Sequence, residues 1–520
     1  MKHFILSLAL TLTTILASIS SFGQAKVMNP GEAKGQLVFL SAEDVRSESA
    51  LYKSLNPISI PVFAELPMEL SVVAGAITLS QQNLLSHVQL KSRARHTPNL
   101  DISALPGGLN NDLLKNFRNG DWVHMLLSNE GQILIEMTTE AEAVAFMSAK
   151  KTLAPVKLKY DLSAKNIFRT SELSWVDFDK VGSKAANYAE LAKALNTPER
   201  TVVRPGYAIP FYFYQQFIDM NPSIKAAIDQ IIQDPLMNKI SKVAYREEKL
   251  KNLYNMIVSK DNLVSPELIS QLLAVFEKER SVDGLPKKMK LRSSTNSEDL
   301  PNFNGAGLYD SAAYKPTEKN KEKSSAEKVE ALKETLRTVW ASVWNLRAFE
   351  ERSYFQIPHG DVKMGMQVNP AYKGELANGV VVTRNVAKNP DLMGPGVYIE
   401  AQRGDTYSVV NPVAGIKPEK ILVTFDPSNP LNKDAYQIHI LQRSNIADDN
   451  KTVMDHDNMT LVLPDQHSKD LVYLVLKAEQ HFKPLLGKDK TDFSLDLEFK
   501  LSDEESLPQI YLKQSRPYID

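Results

Sequence analysis

The sequence contains no cysteine. This absence excludes disulfide bonds, thiolate catalysis and cysteine–zinc sites together, so the folded chain depends on packing alone. The sequence also has no large net charge, because its 61 basic and 62 acidic side chains give a formal net charge of -1. Since no basic block interrupts the chain, we expect no nucleic-acid partner. Its 520 residues are 43% hydrophobic, which is enough for about two to four domains with cores of their own.

The N-terminus is typical of an export signal. Lys2 and His3 precede an apolar run at residues 4–19, and small residues follow as far as Gly23. We expect cleavage after Gly23, which makes residues 1–23 a signal peptide and the mature protein periplasmic or secreted. No cysteine follows that could carry a lipid anchor. The apolar run is short for a membrane span, and an uncleaved anchor helix is the alternative left open.

Residues 289–311, MKLRSSTNSEDLPNFNGAGLYDS, form the first candidate binding segment. A short strand would deliver Arg292 beside a run of hydroxyl side chains, and Gly305 and Gly307 favour a loop that approaches a ligand closely. A guanidinium group offers a planar fork that never loses its charge, which suits polyphosphate. The alternative is an ordinary polar turn between two elements.

His87 is the candidate nucleophile. It follows Ser86 in a leucine-rich segment that comes after the apolar run at residues 70–78. A neutral imidazole needs little activation, and its phosphorylated form transfers readily, so one difficult transfer becomes two easier ones. Ser86 or a helix N-terminus could bind the phosphoryl oxygens. A surface histidine, or a core histidine with a hydrogen-bond partner, is the alternative.

Two further segments carry residues suited to phosphate or metal. Lys184 falls in the first turn of a predicted amphipathic helix, where free backbone amides favour anions, although a simply solvated lysine is the alternative. Residues 493–500 alternate like a strand and place Asp496 and Glu498 on one face. The alternative is that this face of the strand is simply exposed to solvent. Magnesium prefers oxygen ligands and is often coordinated by protein carboxylates and phosphates together, so these carboxylates are candidate metal ligands.

Several segments together resemble one family. Residues 289–311 resemble the "VRSS…EDLP" signature of the nucleotide-binding domain shared by pyruvate phosphate dikinase, phosphoenolpyruvate synthase and the glucan water dikinases. Residues 181–188 resemble its "VGGK" start, and the C-terminal FSLDLEFK and IYLKQSRP resemble "DIEW" and "YIVQARP". Residues 84–95 resemble the phosphohistidine segment of the same enzymes. The continuation at residues 306–311 is similar to the glucan water dikinase branch.

The resemblance implies an α/β and α+β multidomain fold. We expect a phosphohistidine (swivelling) domain at residues 27–137, a linker at 138–174, and an ATP-grasp nucleotide-binding domain at 175–520. Histidine domain first and nucleotide domain last is the order of the glucan water dikinases. Since only three residues follow Pro517, we expect no pyruvate-binding barrel and no pyruvate acceptor.

The resemblance also implies roles for single residues. His87, Arg292 and Lys184 would be catalytic, and Glu498, Gln514 and Asp496 would hold Mg2+. The residues expected to bind ATP are Lys184, Arg292, Arg347, Gln367, Val368, Asp405 and Arg516. One departure matters, because the "GLGE" of the family appears here as Arg403-Gly404-Asp405-Thr406, with an acid one methylene shorter.

The expected activity is that of an exported dikinase-type phosphotransferase. It would bind Mg-ATP, phosphorylate its own His87 and pass the phosphate to an acceptor, with a glycan hydroxyl favoured. Two alternatives stay open: a catalytically silent exported protein that binds a nucleotide or another ligand, and a phosphotransferase with a small-molecule acceptor. We expect no stable membrane anchor, and the sequence leaves the oligomeric state open.

Overall fold

The computed structural model describes residues 25–518, except for 68–69, 151–155, 282, 299, 301–302, 304, 306, 388, 411–412, 414, 455–459, 488–491 and 505–506. The predicted signal peptide at residues 1–23 lies outside the described residues, as do parts of the predicted loop at 299–306. Among the helices that are described, none combines the length and the apolar character needed to cross a membrane.

The N-terminal residues form a seven-stranded mixed sheet with the order β1-β5-β4-β3-β2-β6-β7. Strands β2 to β5 run parallel, and the outer strands pair antiparallel. The strands and helices are β1 (Lys26–Asn29), β2 (Gly31–Leu40), α1 (Ala42–Arg46), α2 (Ala50–Lys53), β3 (Ser59–Phe63), β4 (Ala76–Thr78), α3 (His87–Ala94), β5 (Asn99–Asp101), β6 (Trp122–Leu127), β7 (Ile133–Met137) and α4 (Glu140–Lys150).

Apolar side chains from neighbouring strands explain this sheet. Leu37 lies opposite Ile60, and Val62 lies opposite Ile77, on adjacent parallel strands, and all four side chains are fully buried in one core. Met147 of α4 belongs to that core as well. Helix α4 therefore packs on the sheet, because this contact buries its apolar face. The helix nevertheless lies in the segment predicted as a linker. The domain boundaries at 137 and 175 stay predictions.

A second, five-stranded sheet has the order β11-β10-β14-β9-β8, with only antiparallel pairs. Most of its helices pack on one face, around the buried Trp340 and Trp344. Its elements, with the small hairpin β12–β13, are β8 (Phe168–Arg169), α5 (Phe178–Val181), α6 (Ser183–Leu195), β9 (Tyr207–Ile209), α7 (Phe211–Met220), α8 (Pro222–Gln233), α9 (Val243–Val258), α10 (Pro266–Phe276), β10 (Met289–Thr295), β11 (Ala312–Tyr314), β12 (Thr317–Glu318), β13 (Lys321–Glu322), α11 (Ser325–Ala341), α12 (Leu346–Tyr354) and β14 (Met364–Pro370).

The third sheet has six antiparallel strands in the order β18-β17-β16-β15-β19-β20. One face buries Leu495, Leu497 and Phe499 against α6 and the long C-terminal helix. The elements are β15 (Glu375–Val382), β16 (Gly396–Arg403), β17 (Glu419–Thr424), β18 (Gln437–Gln442), α13 (Asp465–Leu486), β19 (Leu495–Ser502) and β20 (Gln509–Pro517). With three sheets and their helices, the predicted mixed α/β multidomain architecture is confirmed. The swivelling and ATP-grasp assignments stay predictions.

The segment around α3 connects the first sheet to the third. Leu84, Leu85 and Leu90 pack against Val380 and Tyr398 on the face of the third sheet that lies opposite its helices. Since α3 is covered from both sides, even its polar residues are largely buried. The first and third sheets therefore meet through the segment that carries His87.

Candidate functional site

The site begins with the alternation of β19. Leu495, Leu497 and Phe499 enter the core beneath the sheet, so Asp496 and Glu498 lie on the opposite face. Along that face, Glu498 pairs with Gln514 of β20 and Asp496 pairs with Arg516. The strand register thus brings together four side chains that the sequence assigned to metal and phosphate.

A β-bulge adds a fifth polar residue. The register shifts between the pairs Glu498–Gln514 and Phe499–Leu512, which leaves Lys513 as the extra residue of β20. A bulge re-aims a side chain that strict alternation would send to the other face. The Lys513 Nζ donates a hydrogen bond to Glu498 Oε2 at 2.9 Å. Lys513 therefore belongs to the same polar face as the two carboxylates.

Cations neutralise both carboxylates of β19. Arg516 contacts Asp496 Oδ2 through Nε at 2.9 Å and through Nη2 at 2.7 Å. Burial by itself would raise the pKa of Glu498, but Lys513, Arg292 and Arg516 outweigh burial and hold that pKa well below its ordinary value. Glu498 is therefore an ionised carboxylate whose charge is matched by surrounding cations.

The predicted magnesium ligands do not fit a metal ion as they are placed. Mg2+ needs several oxygen ligands at about 2.0–2.1 Å in near-octahedral geometry. Asp496 and Glu498 already pair with Arg516 and Lys513, and no group of three or more His, Cys, Asp or Glu side chains with suitable spacing occurs in the described part of the chain. The assignment of Glu498, Gln514 and Asp496 to Mg2+ stays a prediction.

Strands β10 and β14 carry a second set of polar residues. Arg292 lies opposite Gln367, and Lys290 lies opposite Asn369. Four atoms of this set are buried without a hydrogen-bond partner among the described residues: Arg292 Nε, Gln367 Nε2 and Oε1, and Asn369 Oδ1. A buried polar atom that lacks a partner costs about 1–3 kcal/mol, so this concentration indicates a place for a polar ligand.

The electrostatic field at these strands favours anions. Burial lowers the pKa of Lys290, of Lys513 and of Lys500, the last to about 7, and neighbouring cations lower each of them further, although Glu498 opposes the shift at Lys513. Arg292 contributes to all three shifts. Cations that depress one another's pKa values are under mutual repulsion, which a bound polyanion relieves. We call Lys290, Arg292, Lys500 and Lys513 the cation cluster.

Lys184 lies at the start of α6, next to the end of β10. Gly182 permits this approach, because its φ is 85° and an added Cβ would stand 2.3 Å from the Ser294 carbonyl oxygen. The Lys184 Nζ lies 3.3 Å from Glu298 Oε1 and 3.4 Å from Ser293 Oγ. The helix start is thus fixed beside the hydroxyl run that follows Arg292.

Two of the predicted ATP-binding residues, Arg347 and Asp405, lie away from the cation cluster, and a third, Val368, lies on β14 with its side chain in the core. Arg347 donates to the Leu308 carbonyl oxygen at 3.1 Å and pairs with Asp310, so it holds the loop after β10. Asp405 is exposed in a turn after β16. Val368 pairs with strand neighbours on both sides within the second sheet. Their predicted contacts with ATP are not tested by these positions and stay predictions.

His87 is the first residue of α3, and Ser86 caps the helix by accepting a hydrogen bond from the Gln89 N–H at 3.3 Å. Just before it, the Leu84 N–H donates to Glu400 Oε1 at 3.2 Å. Glu400 lies opposite Val380 on β15, and Val380 lies opposite Glu498 on β19. Ser86 and its helix start are therefore docked on the same sheet face as Glu498.

Several residues of the site were not predicted from the sequence. Lys290 could have been found, because it alternates with Arg292 on one strand. Lys513 could not, since only the bulge turns it toward Glu498. Arg204 stacks over Tyr372 and Tyr511 with its guanidinium carbon 4.1 and 4.6 Å from the ring centres, an arrangement that requires the tertiary fold.

A cavity among the described residues is lined by none of the four residues of the cation cluster. It has a volume of about 540 Å³ and lies between α6 and the segments around β8 and β9. Its lining includes Arg204, which ion-pairs with Glu504 at 2.7 Å. The buried polar atoms and the charges, rather than cavity size, identify the candidate site.

Known proteins resemble the chain over the part that carries the cation cluster. The family model described as "Pyruvate phosphate dikinase, AMP/ATP-binding domain" matches residues 178–519. A phosphoenolpyruvate synthase of Aeropyrum pernix is 24% identical over 364 residues, which cover 65% of this chain and 40% of that protein. The chain therefore spans well under half the length of this curated relative. His87 lies outside the range that the family model matches.

Proposed function

Since the chain belongs to the family of the pyruvate phosphate dikinase AMP/ATP-binding domain, we propose that it is an ATP-dependent phosphotransferase of the dikinase type that uses His87. One observation carries the proposal: the segment that begins α3 is docked on the sheet face that holds Glu498 and Arg516. Phosphate donor and phosphate carrier would then meet on one surface.

The polyphosphate of ATP lies, in this proposal, between β10–β14 and β19–β20. Arg292 supplies a guanidinium whose Nε has no partner among the described residues, and a phosphate oxygen would satisfy it. Lys184 and the amides of Ser183 and Lys184 bind a phosphate at the helix N-terminus, where the next amide, that of Ala185, already donates to Ser294 Oγ. Catalysis of phosphoryl transfer consists mostly of such positioning and charge neutralisation.

Transfer proceeds in two steps. In the first, an imidazole nitrogen of His87 attacks the β-phosphorus of ATP, the bond from that phosphorus to the α–β bridging oxygen breaks as the N–P bond forms, and AMP leaves with the bonding electrons. Water or inorganic phosphate then attacks the γ-phosphorus and breaks the β–γ P–O bond, which carries the γ-phosphate away and leaves the β-phosphate alone on His87. In the second step an acceptor hydroxyl attacks the phosphohistidine, the N–P bond breaks, and the hydroxyl proton is released to the histidine or to solvent. No step is assigned to magnesium.

The acceptor and the location belong to the same proposal. A glycan hydroxyl is supported by the likeness of residues 84–95 and 306–311 to the glucan water dikinases. Export is supported by residues 1–23. To reach an acceptor, α3 must leave the sheet, which breaks the Leu84–Glu400 hydrogen bond and the buried Arg95–Glu351 ion pair.

Incubation of the mature protein with ATP labelled on the β-phosphate tests the proposal. Acid-labile label should appear on the peptide that contains His87, and His87→Ala should abolish it without reducing nucleotide binding. His96→Asn is the matched control, since His96 is exposed and asparagine tolerates its positive φ of 52°. Label on another residue, or equal loss in both variants, would contradict the assignment.

A second candidate function is nucleotide binding without turnover. The Lys513–Glu498 pair favours it, because a lysine engages the carboxylate predicted to hold the metal. In that case the parent protein would take up no label, yet ATP would still raise its melting temperature through preferential binding to the folded state.

A further inference from the structure

We propose that Lys513 acts as a built-in counter-cation at Glu498, so that this site binds a polyphosphate without a divalent metal ion. The class of ligand, a nucleoside triphosphate or inorganic polyphosphate, rests on the proposed function. The metal independence rests on the geometry of this chain alone.

The position of Lys513 is fixed by the strand pairing. It is the extra residue of the β20 bulge, and its ammonium group contacts Glu498 Oε2 at 2.9 Å. The two side chains are only 14% and 24% exposed, so the pair is held in the fold rather than left free at the surface. A divalent ion on the same carboxylate would stand within a few ångströms of an ammonium group, where like charges repel strongly.

The other carboxylates near Glu498 offer a metal no alternative. Asp496 is contacted by both Nε and Nη2 of Arg516, and Glu375 forms an ion pair with Lys500. Among the described residues, a metal at Glu498 would therefore have one carboxylate oxygen and the Gln514 amide as its protein ligands. Each described acidic side chain on β15 and β19 already has a cation of the protein as its partner.

The cation cluster supplies positive charge beyond these pairs. Lys290 and Arg292 form no ion pair with the described residues, and Arg292 Nε is buried without a hydrogen-bond partner. A polyphosphate brings several negative charges, which these two side chains and the paired Lys500 and Lys513 can neutralise. The role that magnesium usually has beside phosphates, which is to offset their charge, then falls to lysines of the chain.

Calorimetry on the mature protein tests this inference with two probes, inorganic triphosphate and a non-hydrolysable ATP analogue. With either probe, Kd in EDTA should lie within about threefold of Kd in excess magnesium. In Lys513→Met the charge of Glu498 is no longer offset, so affinity in EDTA should fall by at least about tenfold and recover when magnesium is added. Lys513→Arg should retain metal-free binding.

Lys483→Met is the matched control, because Lys483 is exposed on α13 and lies outside the cation cluster. It should bind both probes as the parent does. Binding of the parent only with magnesium would overturn the inference while leaving the proposed function intact. Metal-free binding without label on His87 would support the inference and reject the function, and absence of binding in both buffers would overturn both.

Discussion

Arg292 shows how a single residue acquires a ligand-binding character from its surroundings. It faces Gln367 across the strands, and both side chains contain buried atoms without partners among the described residues. Lys290 and Lys500 add further positive charge nearby, and Arg292 lowers the pKa of both. A guanidinium in this position gains most from an anion that brings oxygen acceptors and negative charge together.

Arg292→Ala should therefore weaken triphosphate binding far more than adenosine binding. Loss of a charge-assisted contact of about 1.5–3 kcal/mol corresponds to a roughly 10- to 150-fold rise in Kd for triphosphate, against little change for adenosine. Arg46→Ala is the control, since Arg46 is an exposed arginine that pairs with Glu43 and Glu65 outside the cation cluster. Titration calorimetry with both ligands measures the difference. An equal loss for adenosine would make Arg292 structural.

At the scale of elements, the close approach of α6 to β10 depends on one glycine. Gly182 has a φ of 85°, and an added Cβ would lie 2.3 Å from the carbonyl oxygen of Ser294. Because that atom belongs to the backbone of a strand, it cannot rotate away. The position of Lys184 beside Ser293 follows from this contact.

Gly182→Ala should destabilise the protein by more than about 2 kcal/mol, since backbone strain and a steric clash add. Gly284→Ala is a matched control, because Gly284 has a φ of 75° but nothing within 4 Å of its added Cβ. Only the strain of the positive φ, about 1 kcal/mol, should appear there. Chemical denaturation of the two variants gives both values, and equal losses would show that the close approach is not decisive.

Sequence reasoning could predict the elements with a local signal. The alternation in FSLDLEFK predicted that Asp496 and Glu498 share a face, and β19 places both opposite the core residues Leu495 and Leu497. The helix predicted from Lys184 onward is present as α6. Lys513 could not be predicted, because a bulge depends on how two strands pair. The Leu84–Glu400 contact could not be predicted either, since it joins residues 316 positions apart.

At the scale of the whole molecule, the docking of α3 on the third sheet depends on a buried acid. Burial, only partly offset by Lys420 and by hydrogen bonds from Tyr398 and the backbone of Leu84, raises the pKa of Glu400 above its ordinary value of 4.5. The protonated carboxyl group is thus favoured when α3 is docked, whereas an undocked Glu400 would ionise more readily in contact with water.

This shift gives the docking a pH dependence with a definite sign. The docked state binds the proton more tightly, so protonation of Glu400 stabilises docking fully below pH 4.5. This stabilisation is lost as pH rises through the raised pKa of Glu400. Hydrogen exchange of residues 84–95 should accordingly speed up through opening of α3 as pH increases over that range, after correction for the intrinsic exchange rate.

Glu400→Gln keeps an oxygen that can accept a hydrogen bond from the Leu84 N–H but cannot ionise, and it should remove this pH dependence and slow the exchange near neutral pH. Glu65→Gln, a change at a partly buried carboxylate that pairs with the exposed Arg46, should leave the profile unchanged. If Glu400→Gln opened α3 instead, the ionised carboxylate would be the form that holds the two sheets together.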